Sequence, residues 1–173
     1  MLTIALPKGR IAEETLDKFE KAFGEKFVFE DRKLILQKAG FRFLNVRNQD
    51  VPTYVMHGAA DLGVVGLDVL EEKEYDLIKL LDLELGRCKV AFGLRAGEKL
   101  NFNKSKITIA TKHEKIAKKY FEEKAMAVEI IKLYGSIELA PLVGLCDCIV
   151  DIVETGETMK QNGLEVGPTI MES

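Results

Sequence analysis

The feature that most constrains this chain is the alternation of short apolar runs with amphipathic helical segments along nearly its whole length. Such alternation predicts an α/β architecture, because a buried strand needs a helix with one apolar stripe to cover it. Leu2–Leu6 reads as a strand, Pro7-Lys8-Gly9-Arg10 as a turn, and Ile11 to Phe23 as a helix with Ile11, Thr15, Leu16, Phe19 and Phe23 at helical spacing. Phe27–Phe29, Leu34–Leu36 and Phe41–Val46 read as strands, the last two as a meander. Asp50 is expected to cap a helix over Val51–His57, with Pro52 tolerated in its first turn. Leu62–Val65 reads as a buried strand, Gly66-Leu67-Asp68 opens a short helix, and Leu77–Leu85 looks extended.

A second set follows. Strands are expected at Lys89–Leu94, Ile107–Ala110, Ala127–Lys132 and Cys146–Val153. Helices are expected at Glu114–Glu123, from Gly135-Ser136 to about Leu142, and at Thr158–Asn162, with the polar stretch Arg95–Lys106 as a loop. The pattern predicts two lobes, residues 1–86 and 87–158, with 159–173 returning to the first. Ligands favour a cleft between such lobes, at the carboxyl ends of strands.

Composition narrows the function. With 47% apolar residues the 173-residue chain can bury a core, and a net charge of −3 provides no general field for nucleic acid. No apolar run approaches transmembrane length and no signal peptide precedes Leu2, so a cytoplasmic protein without membrane partners is expected. The three cysteines, Cys88, Cys146 and Cys148, suit neither a disulfide framework nor a zinc site. Strand alternation puts Cys146 and Cys148 on one face, as small buried residues. His57 and His113 stand far apart without a ligand pattern, and helix-end or surface roles are expected for both.

The chemistry concentrates in residues 146–158, where an apolar run carrying Asp151 ends in Glu154-Thr155-Gly156-Glu157-Thr158 and a helix begins. A strand that runs through a glycine turn into a helix start gathers unpaired N–H groups and the positive end of the helix dipole, a setting for a phosphate. The carboxylates upstream would repel a bare phosphate, but they suit ribose hydroxyls or a magnesium shell. The plain alternative is a threonine-capped corner with a solvated acidic turn. Further anion or hydroxyl-binding candidates are Lys8-Gly9-Arg10 after the first strand, Arg32-Lys33 between two strands, Thr111-Lys112, and Tyr134-Gly135-Ser136 with Glu138. Together they fit a cleft for a polyphosphate ligand.

With these residues in view, the chain resembles the ATP phosphoribosyltransferases, in their short catalytic form. The matching blocks in the first lobe are Leu6-Pro7-Lys8-Gly9-Arg10, Asp31-Arg32-Lys33-Leu34, Val46-Arg47, Asp50-Val51-Pro52-Thr53-Tyr54-Val55, His57-Gly58-Ala59-Ala60-Asp61-Leu62-Gly63 and Gly66-Leu67-Asp68-Val69-Leu70. Those in the second are Ile109-Ala110-Thr111-Lys112, Leu133 through Pro141, and the phosphoribosyl loop Asp151–Thr158. The resemblance implies a two-lobed fold like that of the type II periplasmic binding proteins. It implies a glycosyltransferase of histidine biosynthesis, in which N1 of ATP attacks the anomeric carbon of phosphoribosyl pyrophosphate and pyrophosphate leaves. Mg2+ is the implied cofactor, carried by substrate. The implied partner of a homodimer is a histidyl-tRNA-synthetase-like regulatory subunit. Related short forms continue past Glu165–Ser173 with a strand returning to the first lobe and a further helix; either this chain is truncated or that segment was not retained.

The site expected from residues and resemblance together has three parts. Arg10, Arg32 and Lys33 stabilise charge growing on the departing pyrophosphate. Lys8, Gly9, Asp151, Glu154, Thr155, Gly156, Glu157 and Thr158 bind phosphoribosyl pyrophosphate. Arg47, Asp68, Tyr134, Ser136 and Glu138 bind ATP. The competing readings are a cytosolic solute-binding protein on the same fold, which has no need of a phosphoribosyl loop, and another phosphoribosyltransferase, which would not account for the other blocks.

Overall fold

The computed structural model describes residues 1–173 as two compact units, Met1–Gly86 and Arg87–Ser173. In the first, β1 (Leu2–Pro7) lies between β3 (Phe41–Val46) and the two-residue β4 (Leu62–Gly63), parallel to both, while β2 (Ile35–Lys38) runs antiparallel to β3 at the edge. The β2–β3 hairpin turns through Ala39 and Gly40, both at positive φ (49° and 83°), the geometry that matches strand twist in a two-residue loop.

Alternation along β1 decides what covers each face. Ile4 and Leu6 point to α1 (Arg10–Phe23) and pack with Ala12, Leu16, Phe27 and Phe43. Ala5, on the opposite face, packs with Val51 of α2 (Val51–Met56) and with Ala60. Phe19 meets Phe43 edge-on at 5.0 Å and Phe41 at 5.2 Å, so rings dominate this small core. α1 stops at Gly24, whose left-handed φ of 71° returns its N–H to Glu20 O at 2.8 Å.

Several expectations are corrected here. Phe27–Phe29 forms no strand; Phe27 is buried in the aromatic cluster without joining a ladder. Leu77–Leu85 pairs with no strand. Asp50 makes no capping bond, because a 3-10 turn over Asn48–Asp50 holds it in helical geometry (φ −95°, ψ −19°), from which its carboxylate does not reach the first N–H groups.

The second unit is a five-stranded sheet in the order β7 (Val128–Lys132), β6 (Ile107–Thr111), β8 (Cys148–Val153), β5 (Lys89–Arg95), β9 (Leu164–Glu172). β6 is parallel to β7 and β8; β5 is antiparallel to β8 and β9. One face buries Val90, Phe92, Ile107, Ile109, Cys148 and Val150 against Ile116, Ala117 and Phe121 of α4 (Glu114–Glu123). The other buries Ala91, Ala110, Ile149 and Val153 with Ile137, Ala140, Met159 and Leu164. Cys146 and Cys148 are both buried, but they fall in the clusters of opposite faces. β8 starts only at Cys148, so Cys146 lies outside its alternation.

Residues 159–173 do not return to the first unit. Leu164–Glu172 pairs along β5 from Arg95 to Lys89, with register shifts on the way, and Ser173 exchanges both backbone hydrogen bonds with Cys88 (2.7 and 2.8 Å). Met159 and Leu164 anchor the segment in the second core, while Pro168 is tolerated because β9 is an edge strand. Its sequence, half exposed and interrupted by glycine and proline, carries little period-2 signal.

Asp147 ties the entry of β8 to β6. Its Oδ2 accepts the Thr108 N–H at 2.8 Å, its Oδ1 takes Lys104 Nζ at 2.6 Å, and its own N–H reaches Thr108 O at 2.9 Å. Burial pushes this carboxyl up, but the Lys104 and Thr108 hydrogen bonds outweigh it and hold it below the usual carboxylate range. A folded-state value below the unfolded one stabilises fully above the unfolded carboxyl range and is lost as pH falls through the folded value. Asp147→Asn should therefore cost ~1 kcal/mol near neutral pH, a hydrogen-bonded charge discounted for exposure. The gap to the wild type should close as pH falls below about 4, read by urea denaturation at each pH. A gap that persists unchanged in acid would mean Asp147 acts through shape and not charge.

Candidate functional site

Parallel pairing sets where the chemistry can gather. In the second unit β6, β7 and β8 point the same way, so their carboxyl ends share one sheet edge. That edge receives Thr111-Lys112-His113 after β6, Tyr134-Gly135-Ser136 after β7, and Glu154–Thr158 after β8. In the first unit the same rule places Lys8-Gly9-Arg10 after β1, Arg47 after β3, and Asp68 in α3 (Leu67–Lys73) shortly after β4. Arg32 and Lys33 join that edge from the other direction. They precede β2, whose Ile35 pairs with Leu44 near the end of β3. Each unit thus collects its share of the expected site residues along one edge.

The Glu154–Thr158 loop is built around a left-handed glycine. Gly156 sits at φ +81° where α6 (Glu157–Gln161) starts, a conformation that an L side chain enters with strain. A Cβ there would also stand 3.0 Å from Val166 Cγ2. The Glu157 N–H donates weakly to Thr155 Oγ1 at 3.3 Å, and N–H groups in the first turn of a helix have no carbonyl four residues back to bond. α6 has only five residues, so its dipole is small; the donors lie in the turn itself.

Asp151, near the end of β8, is buried, and its two oxygens differ. Oδ1 receives Lys112 Nζ at 3.0 Å and the Ile152 N–H at 2.8 Å, with His113 Nε2 at 3.8 Å. Thr111 locks the junction: its hydroxyl donates to Val150 O at 2.6 Å and accepts the His113 N–H at 2.8 Å. His113 occupies a helix end, at the start of α4, but it is buried, which its sequence context did not indicate. His57 follows α2 and is exposed.

The remaining residues are less uniform. Arg10 is exposed and pairs with Glu14 at 3.3 Å; Lys33 pairs with Glu30. Arg32 and Ser136 hold left-handed φ angles of 59° and 48° without being glycine, a conformation that costs roughly 1 kcal/mol each. Tyr134 is 87% exposed, with Lys132 Nζ 5.8 Å from its ring, and Glu138 precedes α5 (Leu139–Leu142). Asp68 is the exception, being only 4% exposed, with Oδ1 folded against the Gly66 backbone. No group of three or more His, Cys, Asp and Glu is placed to hold a metal ion.

A hollow of about 270 Å³ in the second unit lies elsewhere: Leu94, Arg95, Lys104, Ile107 and Asp147 line it at the opposite sheet edge. Two of its cations are paired, Arg95 with Glu98 at 3.0 Å and Lys104 with Asp147 at 2.6 Å. A second hollow, about 220 Å³ beside α3, holds none of the expected residues.

The Cys148 thiol is pushed up to about 12, by burial first and then by Cys146 and Asp147; burial also raises Cys146. Both therefore remain thiols at neutral pH and are poor nucleophiles. A thiol reagent should label Cys88 in the native protein and reach Cys146 and Cys148 only on unfolding. Rapid native labelling of all three would show that the second core opens locally.

Comparison with known proteins shows the family and the fold. The family model HisG: ATP phosphoribosyltransferase matches residues 47–173. The ATP phosphoribosyltransferase of Wolinella succinogenes is 69% identical over all 173 residues, which span 84% of that protein. Among solved structures, the ATP phosphoribosyl transferase (HisG:HisZ) complex from Thermotoga maritima superposes with a TM-score of 0.82 at 39% identity, over 99% of this chain and 84% of that one. Arginine-bound ArgBP from T. maritima shares the fold alone, with a TM-score of 0.58 at 10% identity over 99% of this chain and 83% of that one. A match along all 173 residues at this identity, on a fold shared with the HisG:HisZ complex, places the chain in the ATP phosphoribosyltransferase family, in its short form.

Proposed function

We propose that this chain is the catalytic subunit of a short-form ATP phosphoribosyltransferase, performing the first step of histidine biosynthesis. N1 of ATP displaces pyrophosphate from the anomeric carbon of phosphoribosyl pyrophosphate, giving phosphoribosyl-ATP. The observation that carries the reading is the Glu154–Thr158 turn: a left-handed glycine at the end of a central strand, in a chain of this family.

In this reading Thr155, Gly156 and Thr158 hold the 5′-phosphate through hydroxyl and backbone N–H groups, with Glu157 shaping the turn. Asp151 and Glu154 accept the ribose hydroxyls. Lys8, Gly9 and Arg10, together with Arg32 and Lys33, meet the pyrophosphate, where negative charge grows as the glycosidic bond breaks. Fixed cations there stabilise the transition state more than the ground state. Arginine suits this because its planar fork bonds two phosphate oxygens at once. Adenine N1 carries its own lone pair and needs no strong base, so positioning supplies much of the remainder. Arg47, Tyr134, Ser136 and Glu138 take the ATP side; Asp68, buried beneath Gly66, would act by holding that turn.

The family's reaction needs a divalent metal, which we take to be Mg2+. Asp151 and Glu154 fit a metal that arrives on the substrate, since Mg2+ is commonly held by one or two carboxylates plus phosphates. When bound, it would neutralise part of the diphosphate charge. The HisG:HisZ complex of T. maritima supports a hetero-oligomer. In our reading a homodimer of this chain assembles with a histidyl-tRNA-synthetase-like subunit that carries histidine feedback. No helix is long and apolar enough to cross a membrane; the proposed location, as for an enzyme of histidine biosynthesis, is the cytoplasm.

Incubation with ATP, phosphoribosyl pyrophosphate and Mg2+, with and without that partner, should give the absorbance rise of an N1-substituted adenine; silence under both conditions would defeat the reading. Arg10→Ala should lower turnover about 10²–10³-fold while weakening phosphoribosyl pyrophosphate far less. Equal losses in both would make Arg10 a docking group only. Gly156→Val should abolish phosphoribosyl pyrophosphate binding in calorimetry, and unchanged affinity would remove the loop from the site.

A further inference from the structure

We infer that Lys112 is a positioning residue: it clamps one oxygen of Asp151 and thereby presents the other to the sugar hydroxyls of phosphoribosyl pyrophosphate. The inference rests on the functional reading above and adds a residue to it. β8 carries an aspartate at each end, Asp147 just before it and Asp151 near its exit, and each is matched by a lysine from outside the strand. At the entry both carboxylate oxygens are consumed inside the protein, Oδ1 by Lys104 and Oδ2 by the Thr108 N–H. At the exit only Oδ1 is engaged, by Lys112 Nζ at 3.0 Å and the Ile152 N–H at 2.8 Å, with the His113 ring at 3.8 Å. No hydrogen bond or ion pair within the chain engages Oδ2.

The pairing follows from topology. Thr111 lies opposite Val150 in the parallel β6–β8 register, so the residue after each falls side by side at the sheet edge. The Thr111 hydroxyl fastens both backbones there, through Val150 O and the His113 N–H. Lys112 is only half-buried and Asp151 nearly fully so, which makes the pair stronger than a surface ion pair. Two consequences serve a sugar phosphate. The clamp fixes the direction of the remaining lone pairs, which orients the ribose. It also offsets one of the three acidic charges, Asp151, Glu154 and Glu157, that surround a loop meant to take an anion.

The test is calorimetry on the full chain, with phosphoribosyl pyrophosphate and ATP titrated separately. Lys112→Met should weaken phosphoribosyl pyrophosphate about tenfold and leave ATP within about twofold, with the chain still folded by circular dichroism at the titration temperature. Lys112→Arg should restore affinity to within about threefold, because it keeps the charge and reach. In an Asp151→Asn background Lys112→Met should add less than about twofold, since the clamp then has no carboxylate to hold. Unchanged phosphoribosyl pyrophosphate affinity in Lys112→Met, equal loss of both ligands, no rescue by arginine, or a full further loss in the Asp151→Asn background would each overturn the inference. Wild-type chain that binds no phosphoribosyl pyrophosphate would overturn the functional reading along with it. Intact wild-type binding with a silent Lys112→Met would overturn the inference alone.

Discussion

Parallel pairing of β8 with β6 is the constraint from which the rest of the second unit follows. A parallel ladder sends both carboxyl ends to one edge, so the loops after β6 and β8 have to be neighbours. β8 is buried along its length between β6 and β5 and anchors both cores, through Cys148 and Val150 on one face and Ile149 and Val153 on the other. A strand so firmly held fixes where the left-handed turn at Gly156 begins.

The same strand shows how one residue type serves two purposes according to place. Asp147 and Asp151 lie four residues apart and each meets a lysine. Asp147 spends both oxygens closing the entry of the strand against β6, which makes it a fastener. Asp151 spends one. The difference is a matter of which backbone N–H groups lie within reach at each end of the ladder. At the hollow of the entry edge, Arg95 and Lys104 are likewise bonded within the chain, to Glu98 and Asp147.

The first unit applies the rule with less material. Four strands and three short or medium helices enclose a core of phenylalanine rings, and its cations reach the same edge from both strand directions, Lys8 and Arg10 after β1, Arg32 and Lys33 before β2. Arg32 holds a left-handed backbone that an arginine adopts only when its surroundings impose it. That strain sits in a turn closed by the Lys33 N–H to Glu30 O bond at 3.0 Å. Ser136 repeats the pattern in the second unit, so two of the residues read as ligand-binding stand in conformations with a cost.

The α/β class, the helix over Glu114–Glu123, the β2–β3 hairpin and the glycine turn between β8 and α6 were legible in residue order alone, because period, turn chemistry and motif spacing are local properties. Phe27–Phe29 and Asp50 misled for the same reason: apolar runs and capping residues state a preference, and the aromatic cluster and the 3-10 turn overrode it. Long-range pairing was beyond local pattern. That Leu164–Glu172 closes the second sheet depends on Leu164 and Met159 finding room in that core, and sequence spacing does not encode room. Lys112, His113 and Asp151 are 38 to 39 residues apart in the chain. Their meeting, and the single carboxylate oxygen it leaves open, exists only because two parallel strands end side by side.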